Sequence, residues 1–313
     1  MTVFFRQLEG QALTGNLAAL LALQQRFREQ RLSGLMEVKS NNSVSIAVVV
    51  ARGETAGTYL LQEDTSIPIN LIETIQTWEE TAFALRSLPL SDVAARLLWL
   101  VLDSQPDTHF EIRGPTDWQD WLNVCKDEGL NSVIEIRSEA CDGFFYLQNG
   151  QMLKTESAFA FEQNLYSQPP TPSENSPWQI RLYIPRPESL SCQSLHLRLG
   201  AVKWFWHTLN RYQRMAGQRI TKILTHNLTQ VIHEWKWEID SQNNTLEDQH
   251  FFARPSLAAD AYRALFMKIG EQMDNMLGSQ LTQRLLNQAF EQIPPLERNA
   301  LASHRLLPAA FVD

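Results

Sequence analysis

Apolar positions in the first half of the chain switch between helical and strand-like spacing. Leu17, Leu20, Leu21, Leu23 and Phe27 form a helical stripe behind Asn16, whose short polar side chain suits an N-cap. Leu32-Ser-Gly-Leu-Met-Glu-Val-Lys-Ser40 and the apolar run Val44 to Ala51 then read as two strands. The turns Asn41-Asn42-Ser43 and Arg52-Gly53-Glu54 punctuate them, and Val3 to Leu8 reads as a leading strand.

The same order returns 98 residues later, where Leu130-Asn-Ser-Val-Ile-Glu-Ile-Arg-Ser138 matches Leu32 to Ser40. Leu, Glu and Ser coincide, and the other apolar and basic positions exchange like for like. A strand at His109 to Arg113 precedes this segment. A helix capped by Thr116 or Asp117 follows, carrying Trp118, Trp121, Leu122 and Cys125. After Ser138 come a turn over Glu139 to Gly143, a strand Phe144 to Leu147 and the turn Asn149-Gly150-Gln151. Asn-Gly is the strongest short hairpin signal. A hairpin cannot bury its own apolar face, so a helix laid across it explains the repeated unit.

Between the copies, Ile69, Ile72, Ile75 and Trp78, then Leu85, read as a helical stretch broken at Pro89. Ser91 caps a further helix with Val93, Leu97, Leu98, Val101 and Leu102. Both read as core helices of the first unit. Ser167 to Pro177 holds four prolines and reads as a linker, and Ile180 to Ile184 as a last strand of the preceding sheet. Beyond it, helical spacing dominates. Val202, Phe205, Trp206, Leu209 and Tyr212 form one face, and Ile220, Ile223, Leu224, Leu228 and Val231 another after Gly217. A short hairpin is predicted from Trp235 to Leu246. A long helix opens at Pro255 and runs to Met276 before Gly278, and another from Leu281 ends at Pro294-Pro295.

Leu13-Thr-Gly-Asn-Leu17, the apolar helix after it, Leu32-Ser-Gly-Leu-Met-Glu-Val38 and the strand ending at Gly53 together resemble the PATAN family. These are the PatA N-terminal-type domains attached to bacterial response regulators, notably in cyanobacteria. Asn149-Gly150-Gln151 is similar to the same family's hairpin turn. The resemblance spans residues 10–105 and, more faintly, 109–160. It implies a non-catalytic α/β adaptor working through protein contacts in signalling or motility. The second copy departs from the pattern by lacking the Leu-x-Gly approach to its helix, and no phospho-acceptor receiver domain is seen beside either copy.

With 313 residues, 44% hydrophobic and 20% charged, the chain has the makings of two or three packed domains and is not a disordered polymer. Cys125, Cys141 and Cys192 form no C-x-x-C pair, which argues against a disulfide framework or a zinc knuckle and suits a reducing compartment. The start MTVFFRQLEG lacks an apolar h-region, and the longest apolar run is far short of the ~20 residues of a membrane span. A cytoplasmic protein without a membrane span is expected.

Neither phosphate-cradling glycine loop occurs, nor a G-x-S-x-G elbow, nor H-E-x-x-H. His226 and His233 lie seven apart and could share a helical face, but supply only two ligands. No catalytic, cofactor-binding or metal-binding residues are therefore assigned, and no enzyme is expected.

Charge changes the picture most. The total is −8, yet residues 1–105 hold 8 basic and 11 acidic side chains, residues 106–177 hold 4 and 12, and residues 178–313 hold 15 and 12. From Arg198 to His233 there is no Asp or Glu. Lys203, His207, Arg211 and Arg214 share one helical face opposite Phe205 and Leu209, and Arg219 and Lys222 follow. These six residues are the candidate partner-binding set. Three readings are open for them: a solvated face, docking against an acidic protein surface, or a polyanion site with Trp204 and Tyr212 as stacking aromatics.

The expected fold is α/β of the α+β type: two tandem duplicated sheet-and-helix units, 1–105 and 106–177, then a mainly helical module, 178–313. The expected function is a cytoplasmic, non-enzymatic adaptor. The alternative is a binder of nucleic acid or another polyanion through the basic helix in 198–233.

Overall fold

The computed structural model describes residues 13–41, 44–62, 65–78, 82–138, 142–161, 164–166, 172 and 177–311. The predicted strand Val3 to Leu8 and most of the proline-rich segment lie outside them. The chain forms two compact units, Met1–Ser191 and Cys192–Asp313. The fold is α+β, with two sheet units and a helical C-terminal region.

The first unit holds two six-stranded antiparallel sheets. One is built from β1 (Leu13–Gly15), β2 (Ser33–Lys39), β3 (Ser45–Ala51), β4 (Glu54–Leu61), β5 (Ser66–Pro68) and β6 (Phe83–Leu90), in the order β1-β6-β2-β3-β4-β5. The other uses β7 (Gln105–Ile112), β8 (Ser132–Arg137), β9 (Asp142–Gln148), β10 (Gln151–Phe161), β11 (Asn164–Tyr166) and β12 (Trp178–Ile184), in the order β7-β12-β8-β9-β10-β11. Strand for strand the two orders are the same. Helix α1 (Leu17–Glu29) joins the first two strands of one sheet, as α4 (Pro115–Asp127) does in the other.

The duplication therefore reaches further than the short aligned segments. It even repeats single hydrogen bonds. The N–H of Leu32 donates to Phe27 O as that of Leu130 does to Cys125 O, both at 2.9 Å. The N–H of Gly53 donates to Leu32 O as that of Gly150 does to Leu130 O, both at 2.8 Å. Arg52-Gly53 and Asn149-Gly150 all have positive φ, the requirement of a type I′ hairpin turn. A Cβ on Gly53 would lie 2.3 Å from Arg28 Cα, and one on Gly150 2.2 Å from Lys126 Cα, so each turn presses on the end of its helix.

Alternation along each sheet divides its faces. Met36 and Val38 pack with Leu20 and Phe27 of α1, while Ile134 and Ile136 pack with Cys125 and the tryptophans of α4. The intervening residues face the other way, where α3 (Asp92–Asp103) contacts strands of both sheets. That position explains why Ala94 to Leu102 are all buried although the sequence pattern suggested a one-sided stripe. Ser91 caps this helix as expected, its Oγ accepting from Ala94 N.

Charges are buried on these inner faces, each with a partner. Arg96 of α3 donates from Nε and Nη2 to Glu156 of β10 at 3.2 and 3.1 Å. Glu37 and Glu135 occupy equivalent places in the two sheets, opposite Arg86 and Arg181 respectively in the strand register. Glu37 accepts from Ser45 Oγ at 2.5 Å, and Arg86 Nη1 lies 3.5 Å away. Glu135 accepts from Arg137 Nη2 at 3.0 Å and from the Tyr183 hydroxyl at 2.8 Å. Burial, then the Glu135 charge, pushes the Tyr183 hydroxyl well above its ordinary value.

Several expectations need correction. Leu85 is not helical: helix α2 (Leu71–Gln76) is short, and Phe83 to Leu90 is the strand β6. Pro89 is tolerated there because β1 pairs only with residues 83–85. Helix α4 starts at Pro115 behind Gly114, ahead of the expected caps Thr116 and Asp117. The expected boundary at 178 also moves. β12 pairs between β7 and β8, so the helical unit begins only after it, and the two sheets separated at 105 in sequence belong to one compact unit.

The second unit contains α5 (Leu190–Ala216, entering from the first unit), α6 (Gln218–Asn227), α7 (Thr229–Glu234), α8 (Pro255–Leu277), α9 (Ser279–Phe290) and α10 (Pro295–Ser303). Pro295, expected as a stop, opens α10 from its first helical position. Trp204 anchors the core, stacked on Phe266 at 4.0 Å between centroids, with its indole N–H donating to Leu286 O. The predicted hairpin is β13 (Glu238–Asp240) with β14 (Thr245–Glu247). Buried Asp248 secures the following loop, accepting from Trp237 Nε1 at 2.7 Å and from the Tyr262 hydroxyl.

Candidate partner-binding surface

The acid-free run folds as α5, a glycine turn and α6, then α7. Ala201, Trp204, Phe205, Thr208, Leu209 and Tyr212 are the buried side of α5, so the helical period places Lys203, His207, Arg211 and Arg214 away from the core. Gly217 ends α5 at φ 87° and starts α6, whose buried side is Thr221, Leu224 and Thr225. Arg219 and Lys222 therefore face outward with Ile223.

The six expected residues divide into two groups. Lys203 is engaged: its Nζ lies 2.9 Å from Oε1 of Glu297, a carboxylate of α10 that is almost fully buried. Arg211 is partly buried and donates to Gln288 of α9 at 3.2 Å. His207 sits near both cations, and burial first, then Arg211 and Lys203, holds its pKa below the ordinary histidine range. This half of the basic face serves packing between helices. Arg214, Arg219 and Lys222 are exposed, and no ion pair engages them among the described residues.

The aromatic residues are placed differently from the expectation. Trp204 and Tyr212 are fully buried and cannot stack on a ligand. Trp206, assigned to the apolar face, is instead 42% exposed beside His207. Ile223, Met276 and Leu21, also assigned to apolar faces, are exposed as well. Met215 and Ile223, at 51% and 56% exposure, lie in sequence next to Arg214 and Lys222. Alternating cations and apolar side chains could have been noticed in Arg214-Met215 and Lys222-Ile223, but only burial shows which side of each helix is free.

His226 and His233 do not share a helix, because α6 ends at Asn227 and α7 begins at Thr229. Among the described residues, no group of three or more His, Cys, Asp or Glu is placed to hold a metal ion. Nor is any described helix long and apolar enough to cross a membrane.

The fold and this surface define an α+β protein with a duplicated six-stranded sheet and a helical unit bearing an exposed basic corner. No family model, curated protein or solved structure matches the chain.

Proposed function

We propose that the chain is a non-enzymatic cytoplasmic adaptor that binds an acidic protein surface through the corner where α5 turns into α6. The observation supporting this reading is the set Arg214, Arg219 and Lys222, exposed without acidic neighbours in sequence and accompanied by exposed Met215 and Ile223. Cations steer an acidic partner into place, and the apolar side chains between them supply buried area once docked. The PATAN resemblance of residues 10–105 and 109–160 points the same way, towards signalling or motility in bacteria.

Affinity capture from the native source tests this, with wild-type protein compared against R214E/R219E/K222E at low and high salt. Specific proteins retained by wild type at low salt should be lost from the variant. Retention of the same proteins by both would refute the reading.

The second reading, a polyanion site, draws on Trp206, an exposed aromatic on the same helix as Arg214. It predicts that wild type binds single-stranded nucleic acid with an affinity falling steeply as salt rises, and that the same triple reversal abolishes binding. Salt-independent or absent binding removes it.

A further inference from the structure

Two outward helical faces of this chain are complementary to each other. On α4, Asp120, Val124 and Asp127 follow one another at i, i+4 and i+7, with Asp117 and Glu128 alongside; the four acids are exposed and Val124 is 52% exposed. On α6, Arg219, Ile223 and His226 repeat the same spacing, with Lys222 beside Ile223, and all four are exposed. Residues three and four apart form one stripe on a helix. The stripe on α4 therefore carries charge at both ends and that on α6 at Arg219 and Lys222, each leaves one apolar side chain uncovered, and the charges are of opposite sign. The first stripe is not purely acidic: Lys126 is exposed on the same helix, and Arg113 lies close enough to Asp117 to feel its charge.

We infer that α6 of one molecule docks on α4 of a second copy of this chain. This rests on the adaptor reading of the basic corner and names its occupant. Val124 and Ile223 meet at the centre of the contact, and the carboxylates of α4 surround the cations of α6. Two helices of 13 and 10 residues bury little area, so the contact belongs with small, weak, salt-sensitive interfaces below about 1,200 Å² in total. Because the two faces differ, the contact is head-to-tail, and each added molecule presents a fresh face of each kind.

Sedimentation equilibrium over a range of concentrations is the test, at ~0.05 M and ~0.5 M salt, on either side of the ionic strength where the Debye length is ~10 Å. The average mass of wild type should rise with concentration at low salt and fall back to one chain at high salt. D120K/D127K and R219E/K222E each bring like charges together and should each weaken association about tenfold or more. Mixed in equal amounts, the two variants set unlike charges opposite each other at the four substituted positions and should associate far more strongly than either does alone. All four positions are exposed, and circular dichroism checks that both variants remain folded. A wild type whose mass never rises, or a mixture that stays monomeric, overturns the inference. If mass never rises but R214E/R219E/K222E still loses its captured proteins, self-docking is wrong and the adaptor reading stands.

Discussion

The Arg96–Glu156 pair offers the sharpest test of the first unit. The two side chains are 7% and 1% exposed and meet through two hydrogen bonds at 3.1 and 3.2 Å. Arg96 belongs to the helix that contacts both sheets, and Glu156 to the second sheet, so the pair ties the duplicated halves together. Glu156→Leu would leave a guanidinium in a stretch of nine consecutive buried residues. Removing one member of such a pair costs about 3–5 kcal/mol, most of it the desolvation of the charge left behind. Arg96→Leu should cost a similar amount, because it takes both of these hydrogen bonds from the buried carboxylate. The double variant removes both charges and should recover to within about 1 kcal/mol of wild type, or exceed it.

Native-state hydrogen exchange of α3 and β10 is the appropriate assay, because a chain with two compact units need not unfold in one step. Each single variant should lose roughly two to four orders of magnitude of protection in these elements. Protection in the second unit, Cys192–Asp313, should change little. A single-variant loss below about 1 kcal/mol, the value of an exposed pair, would show that the charges are not buried as described.

Gly53→Ala and Gly150→Ala should each destabilise by about 1 kcal/mol or more, because both sites combine positive φ with backbone at the Cβ position; unchanged melting temperatures would contradict the turn geometry. Burial first, then nearby cations, holds His196, His207 and His304 below the ordinary histidine value, with Glu297 opposing the effect at His196. Their unfolded forms therefore bind protons first, so stability should be full above pH ~6.5 and fall as pH drops through that value. Histidine NMR titrations with midpoints at or above the ordinary value would refute this. Cys125 is buried, and burial pushes its thiol up to about 11, so it should react with a thiol reagent at pH 8 only after unfolding. Fast labelling of the native protein would show that α4 lies less tightly on its sheet.

Local signals were strong where one short stretch settles the outcome. Asn16 and Ser91 cap their helices with the hydrogen bonds their side chains imply, and the two glycine turns form where the hairpins require them. The aligned segments at Leu32 and Leu130 likewise foreshadowed the duplicated sheet. Leu85 reads as helical because it stands seven residues, about two turns, after Trp78, and only pairing with β2 and β1 selects the extended form. On α5, the period separated Lys203, His207, Arg211 and Arg214 from the core, but not those held by α9 and α10 from those left exposed.

Spacing along the chain thus determined the elements, the repeat and the acid-free basic stretch. Tertiary structure decided that α3 is buried on every side, that Glu37, Glu135 and Glu156 lie in the interior with partners, and that three of the six basic-face residues, Arg214, Arg219 and Lys222, remain exposed at the surface. The physical reason is the same in each case. A periodic pattern says which side of an element is apolar, whereas the fate of a charged side chain depends on what a distant segment places against it. Lys203 became a structural cation because Glu297, ninety-four residues away, is buried beside it.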